Sequence, residues 1–189
     1  MSATIKCSAE EALQKLKDGN NQYLDAKESK GDISLALREK TCSEGQKPYA
    51  IVITCSDSRV IPESIFNAGI GELFVIRVAG NVIDKHQLGS IEYAAEHLGS
   101  RLIVVMGHNH CGAVGAAISR NAESFIKFIT DEISKAIGEE TDDYKACCLN
   151  VRHSMKVIEE SLGIRQDEEH GLKVCGAVYH LEDGSVEFL

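Results

Sequence analysis

The chain predicts an α/β fold: a mostly parallel central sheet with an antiparallel edge, flanked by helices and preceded by an N-terminal helical arm. Three observations carry this. Runs such as Ala50-Ile-Val-Ile-Thr54 and Leu102-Ile-Val-Val-Met106 are apolar throughout rather than alternating, the pattern of strands buried on both faces. Segments with helical apolar spacing separate such runs, so consecutive strands need crossover connections and run parallel. The last two apolar runs flank Asp183-Gly184, a hairpin signal that makes the closing pair antiparallel.

Each element follows from local chemistry. Ser8 to Leu24 opens the chain as a helix, with Ser8 as N-cap, Glu11 as its capping-box partner, and Leu13, Leu16 and Tyr23 near one face. A second helical stretch, Ile33 to Cys42, is broken by Gly45-Gln-Lys-Pro48, which leads into the first strand, Ala50 to Thr54. Pro62 suits a helix N1 position, which predicts a short helix from Pro62 to Asn67. Leu73 to Arg77 is the next strand and Ala79 to Val82 a loop. Gly89 to Leu98 is amphipathic and ends at Gly99 as its C′ glycine. Leu102 to Met106 is the third strand, and a helix starts at Gly112 and runs to Ser119. Helical patterning follows from Ala122 to about Gly138 and from Asp142 to about Leu162. Leu172 to Tyr179 and Ser185 to Leu189 close the sheet.

Bulk properties exclude several classes of function. The 189 residues suit one domain, with 1–45 as the helical arm and 46–189 as the α/β core. No internal repeat or low-complexity tract divides it. A hydrophobic fraction of 43% with 26% charged residues is that of a globular protein. The net charge of −9 offers no footprint for nucleic acid. No apolar stretch approaches the roughly 20 residues of a membrane span, and the N-terminus lacks the pattern of a signal peptide. Seven cysteines, an odd number without a secretion signal, read as reduced thiols in a cytoplasmic protein, some of them metal ligands.

Two short segments carry the chemistry. Cys55-Ser-Asp-Ser-Arg59 and Gly107-His-Asn-His-Cys-Gly112 each follow a buried strand, at the sheet edge where open α/β folds place ligands. Cys55, His108 and Cys111 together make a three-ligand zinc site with an open fourth position, the arrangement of a catalytic rather than a structural metal. Cys111 precedes a helix N-terminus, where thiolate is favoured. Cobalt or ferrous iron suits the same donors. If the backbone stays extended past Thr54, Asp57 and Arg59 share a side with Cys55. An arginine beside an aspartate keeps it ionised. Such a carboxylate either accepts a hydrogen bond from water on the metal or occupies the open position itself. Taken singly, a cysteine at a strand end is ordinarily a small buried hydrophobe, and an Asp–Arg pair an ordinary ion pair. Their joint occurrence favours the metal. Cys7, Cys42, Cys147, Cys148 and Cys175 read as free or core thiols. Adjacent helical positions point Cys147 and Cys148 about 100° apart, against a shared site. His110 reads as a group near the pocket mouth, either a proton-transfer group or an exposed loop histidine.

These motifs resemble those of the β-class carbonic anhydrases. The likeness continues through Gly71-Glu-Leu-Phe-Val-Ile-Arg-Val-Ala-Gly-Asn81, Gly89-Ser-Ile-Glu-Tyr-Ala94, Gly176-Ala-Val-Tyr179 and Gly184-Ser-Val-Glu-Phe-Leu189, nearly the whole chain, with 114–170 the least diagnostic. The resemblance implies reversible hydration of carbon dioxide to bicarbonate and a proton. It assigns one Zn2+ per chain to Cys55, His108 and Cys111, with Asp57 and Arg59 as the catalytic dyad that orients a zinc-bound hydroxide. It further implies a homodimer, or a tetramer of paired dimers, joined through N-terminal helices and sheet edge, with pocket walls from both subunits. The sequence departs from some members of the family. It has no Trp, and Val52 stands where bicarbonate-regulated members carry one; Gly69 lies near the place where plant-like members have a Gln. Two other readings share these residues: hydrolysis of carbonyl sulfide or carbon disulfide on the same scaffold, and a non-enzymatic zinc or redox sensor using Cys55 and Cys111.

Overall fold

The computed structural model describes residues 7–25, 31–160 and 171–189. Five strands form one sheet: β1 (Ala50–Thr54), β2 (Leu73–Arg77), β3 (Leu102–His108), β4 (Lys173–Tyr179) and β5 (Val186–Phe188). Their order is β2-β1-β3-β4-β5. The first four are parallel, and β5 pairs antiparallel with β4, as the hairpin signal predicts. The helices are α1 (Ala9–Asp25), α2 (Leu35–Glu44), α3 (Pro62–Ile65), α4 (Lys85–His97), α5 (Gly112–Ser119), α6 (Ile126–Ile137) and α7 (Asp143–Glu159). The helical pattern that continues towards Leu162 leaves the described residues after 160.

Alternation along the strands divides the core between two faces. Ala50, Val52, Leu102, Val104, Met106 and Ala177 pack with Ala9, Ala12 and Leu16 of α1 and Ile65 of α3. Ile51, Ile53, Ile103 and Val105 face Ile91, Ala94 and Ala95 of α4 and Val151 and Ile158 of α7. A third cluster, built from α5, α6 and α7 around Cys55, Cys111 and Cys147, surrounds the C-terminal ends of the strands. Helix α7 reaches the sheet because β3 and β4 offer glycines there. A Cβ on Gly107 would stand 2.7 Å from Val151 Cγ2, and one on Gly176 2.8 Å from Val151 Cγ1.

Several boundaries differ from the sequence reading, each for an identifiable reason. Strand β3 runs two residues further, through His108, because Gly107 and His108 pair with Val178 and Tyr179. Helix α4 starts at Lys85 rather than Gly89, since Asp84 and Gln87 form a capping box. Helix α6 starts at Ile126 rather than Ala122, following Ser124 in the left-handed region (φ 52°). The capping box of α1 forms as read, with Ser8 N–H on Glu11 Oε2 (2.8 Å) and Glu11 N–H on Ser8 Oγ (3.1 Å). Ala9, Ala12 and Leu16 of this helix lie in the core beside the strands. Buried Asn20 also donates to the carbonyls of Ile65 and Gly184 and accepts from Val186 N–H.

Gly19 lets α1 approach α3 closely, since a Cβ there would lie 1.9 Å from the Phe66 carbonyl oxygen. Alanine is the better helix former by about 1 kcal/mol, yet this contact is with backbone and cannot yield cheaply. Gly19→Ala is therefore expected to destabilise the chain by about 2 kcal/mol or more in urea melts; a gain in stability would contradict this packing.

Candidate metal centre

Strands β1 and β3 are neighbours, with Thr54 opposite Met106, and the Thr54 hydroxyl donates to the Met106 carbonyl at 2.8 Å. The residues just beyond are thereby brought side by side. Cys55 leaves β1, His108 ends β3, and Cys111 is the N-cap of α5. Between the last two, Asn109 and His110 make a turn in which His110 takes φ 53°.

Cys55, His108 and Cys111 are all buried, and their ligand atoms lie within 4.8 Å of one another. The donor set fits zinc. At metal–sulfur bonds of about 2.3 Å and a tetrahedral angle, two thiolates stand about 3.8 Å apart; Cys55 Sγ and Cys111 Sγ are 3.9 Å apart. His108 presents the right nitrogen. Its Nδ1 lies 2.8 Å from the Asn109 carbonyl, which makes Nδ1 the protonated donor, while buried Nε2 has no hydrogen-bond partner among the described residues. A buried imidazole nitrogen left without a partner is costly unless an ion takes it.

The surroundings favour negative charge on sulfur. Cys55 Sγ accepts N–H groups from Gly80 (3.3 Å) and Asp57 (3.4 Å). The Cys111 thiol, His108 and these two amides pull the Cys55 thiol down to about 4 against the opposing effect of burial. Cys111 moves the other way, because the Cys55 thiolate beside it and burial both oppose a second charge. Burial works against protonated His108, but Cys55 outweighs it and raises the imidazole. Cys147 is a donor rather than a further ligand: burial pushes its thiol up to about 12, and it donates to the His108 carbonyl at 3.0 Å.

Gly80 itself is fixed from behind. It sits in a single 3₁₀ turn, Ala79–Asn81, at φ 66°, where a Cβ would meet Ile133 Cδ1 at 2.7 Å. Asn150 donates to its carbonyl at 2.7 Å, and Ser154 to that of Asn81 at 3.0 Å.

Asp57 and Arg59 come together by a different path from the expected one. The backbone beyond Cys55 is not extended; it turns, with Val60 N–H bonded to the Asp57 carbonyl (3.0 Å) and Arg59 N–H to Asp57 Oδ1 (2.9 Å). An aspartate capping its own turn is locally favoured and beats extension here. The guanidinium completes a bidentate pair, Nε on Oδ1 at 2.9 Å and NH2 on Oδ2 at 2.7 Å. Arg59 holds the Asp57 carboxyl well below the usual range. Asp57 Oδ2 lies 3.8 Å from His108 Nε2, so the carboxylate borders the ligand cluster while paired with arginine.

Four residues that the motif reading left without a role support this arrangement. Arg77 clamps the turn, Nε on the Cys55 carbonyl (3.2 Å) and NH2 on the Asp57 carbonyl (2.7 Å). Gly80 supplies an amide to sulfur, and Asp143 Oδ2 accepts the His110 N–H at 2.7 Å. Glu182 contacts both Asn109 and His110. Their partners are 20 or more residues away, so spacing alone carries no signal of them. His110 is an exposed turn residue whose ring bonds Glu182 at 2.9 Å and whose carbonyl accepts from Arg59 NH2 at 3.4 Å.

Two outcomes are expected from this geometry. Cys55→Ser, His108→Ala and Cys111→Ser should each lose stoichiometric zinc by elemental analysis, and retention in all three would refute the ligand set. The folded pKa of Asp57 lies below its unfolded value. The Asp57–Arg59 pair therefore stabilises the fold above the ordinary carboxylate pKa of about 4, and loses that contribution as pH falls through the lower folded value. The stability deficit of Arg59→Ala should be constant from about pH 5 upward and shrink in acid, as read by urea melts of the metal-free protein.

The sequence pattern of the carbonic anhydrase family matches residues 50–186. The carbonic anhydrase of Mycolicibacterium smegmatis is 35% identical over 188 residues, covering 93% of this chain and 91% of its own. Carbonic anhydrase 2 of Mycobacterium tuberculosis is 31% identical over 185 residues, covering 92% and 89%. Among solved structures, a tetrameric β-carbonic anhydrase of Sordaria macrospora superposes with a TM-score of 0.75 at 27% identity, over 82% of this chain and 87% of that one. The β-carbonic anhydrase of Coccomyxa, solved with acetazolamide, gives 0.69 at 29% identity, over 82% and 79%. With the pattern spanning most of the sequence, relatives above 30% identity covering nearly all of it, and a fold shared with solved β-carbonic anhydrases, the chain belongs to the carbonic anhydrases, the carbonate dehydratases, and within them to the β class.

Proposed function

We propose that this protein is a zinc enzyme that reversibly hydrates carbon dioxide to bicarbonate and a proton. Cys55, His108 and Cys111 would hold the ion, and Asp57 and Arg59 would be the catalytic dyad. The observation that carries this reading is an ionised carboxylate, fixed by arginine, 3.8 Å from the unpartnered nitrogen of a buried Cys–His–Cys cluster. A structural or sensing site has no use for that carboxylate.

Zinc bound there supplies a Lewis acid that lowers the pKa of water to roughly 7, a figure that comes from carbonic anhydrases with three histidine ligands. The remaining work belongs to the chain. Two thiolates donate more charge than imidazoles and oppose this acidification. The amides of Gly80 and Asp57 on Cys55 Sγ draw part of that charge back. Asp57 would accept a hydrogen bond from the attacking water at this site and so orient it towards carbon dioxide. Arg59 keeps Asp57 ionised and aimed, so the carboxylate neither takes the proton nor swings onto the ligands.

We further propose a homodimer or tetramer in the cytoplasm, with carbon dioxide and bicarbonate as the partners of the site. Exposed Ile33 (73%), Leu35 (60%) and Ile61 (45%), the last just beyond the Asp57 turn, support a covering surface from a second copy. All seven cysteines are free, in keeping with a reducing compartment. No helix among the described residues is long and apolar enough to cross a membrane.

The test is stopped-flow carbon dioxide hydration with zinc measured on the same sample. Asp57→Asn is expected to keep its zinc and lose roughly 10²-fold in turnover, the usual size of a positioned proton-handling group. Turnover equal to the parent's between about pH 7 and 9 would remove Asp57 from the mechanism.

A further inference from the structure

We propose that Glu182 is a positioning residue for the metal centre, bracing through Asn109 and His110 the turn that presents His108 and Cys111. The inference rests on the zinc reading above and extends it to a residue on the far hairpin.

Glu182 lies between β4 and β5, remote in sequence from both ligands. Its two carboxylate oxygens are used separately: Oε2 accepts from Asn109 Nδ2 at 2.6 Å, and Oε1 meets His110 Nε2 at 2.9 Å. Asn109 and His110 are the whole of the connection between the two ligands.

The link through Asn109 is continuous. Asn109 is 8% exposed, and its Oδ1 accepts from Leu181 N–H at 3.0 Å, which fixes the amide orientation and aims Nδ2 at Glu182. Its backbone carbonyl receives His108 Nδ1–H at 2.8 Å, the bond that sets the tautomer and turns Nε2 towards the sulfurs. Two hydrogen bonds, joined through the covalent frame of Asn109, therefore connect the Glu182 carboxylate to the imidazole that carries the metal-facing nitrogen. Outer partners of this kind govern ligand orientation and metal affinity.

The link through His110 holds a strained residue. Its φ of 53° is a conformation that a non-glycine residue keeps only where its neighbours impose it. Asp143 holds the backbone amide at 2.7 Å and Glu182 the ring. The platform is itself fixed, because Asn20 of α1 grips the hairpin at the Gly184 carbonyl (3.0 Å) and Val186 N–H (3.0 Å). The Glu182 side chain is 58% exposed and does not serve the core. Its partners point only at the metal turn.

The test compares the full-length parent with Glu182→Ala and Asp183→Ala. Asp183 caps Ser185 in the same hairpin (2.9 Å to its N–H) without touching the metal turn, so it reports loosening of the hairpin alone. Zinc affinity is read by competition with a chromophoric chelator, and site geometry by the visible absorption of the cobalt(II) form. Glu182→Ala is expected to bind zinc about tenfold more weakly and to shift the cobalt bands, with the melting of the metal-free protein little changed. Asp183→Ala should match the parent in both metal readouts. Parent-like zinc affinity and cobalt spectrum in Glu182→Ala would overturn the proposal alone, as would an equal loss in Asp183→Ala. Failure of the parent itself to bind either metal would overturn the zinc reading and this inference with it.

Discussion

Everything at the site depends on the parallel, in-register pairing of β1 with β3. The chain goes from β1 to β2 on one side, then returns to place β3 on the other. That reversal opens a crevice at the carboxyl ends of the two strands, the general location of ligand sites in open α/β sheets. Register decides the rest. With Thr54 opposite Met106, Cys55 and His108 emerge beside each other, and the turn into α5 needs only Asn109 and His110 to bring Cys111 to the same point. A slip of one residue would send the ligands to opposite faces. The Thr54 hydroxyl, bonded to the Met106 carbonyl at 2.8 Å, is tied to this register.

Placing two thiols and an imidazole in that crevice creates a charge problem that the fold resolves with backbone rather than cations. Cys55 is served by two amides, and one of these belongs to Gly80, whose left-handed turn is pinned by Asn150, Ser154 and Ile133 from α6 and α7. The same helices supply Cys147, kept neutral by burial so that it donates to the His108 carbonyl instead of competing for an ion. Positive charge comes from Arg59 and Arg77. Both are spent on the Asp57 turn, where Arg77 fixes the backbone and Arg59 the carboxylate.

Much of this was legible in the residues themselves. The apolar runs marked β1, β2 and β3, Ser8 and Glu11 marked the start of α1, and the two cysteine-bearing segments marked the ligand cluster, because each rests on chemistry within a few positions. Three kinds of feature were not. The Asp57–Arg59 geometry depends on a turn stabilised by the Asp57 side chain, and the spacing reads equally well as extended strand. The limit of β3 is set by its pairing with β4, some 70 positions away, so Gly107 and His108 look like loop until that partner is known. The fate of α1 depends on which surface has room for it, and its packing on the strands through Ala9, Ala12 and Leu16 joins positions far apart in the chain. What escapes the sequence is long-range placement, which one-dimensional spacing does not record.

The exposure of the arginine has a consequence for the dielectric environment of the dyad. Arg59 is 55% exposed while its partner Asp57 is 17% exposed, so the pair stands at the boundary between water and the protein interior. The attraction between opposite charges is weak in bulk water and grows as the surroundings become less polarisable. A surface laid over Ile61 and Arg59 would therefore tighten the hold on Asp57 by removing solvent, without a single new contact to the carboxylate. Any such cover would add to the hold that Arg59 already has on the carboxylate, and dilution or salt that removed it would leave that hold to the chain alone.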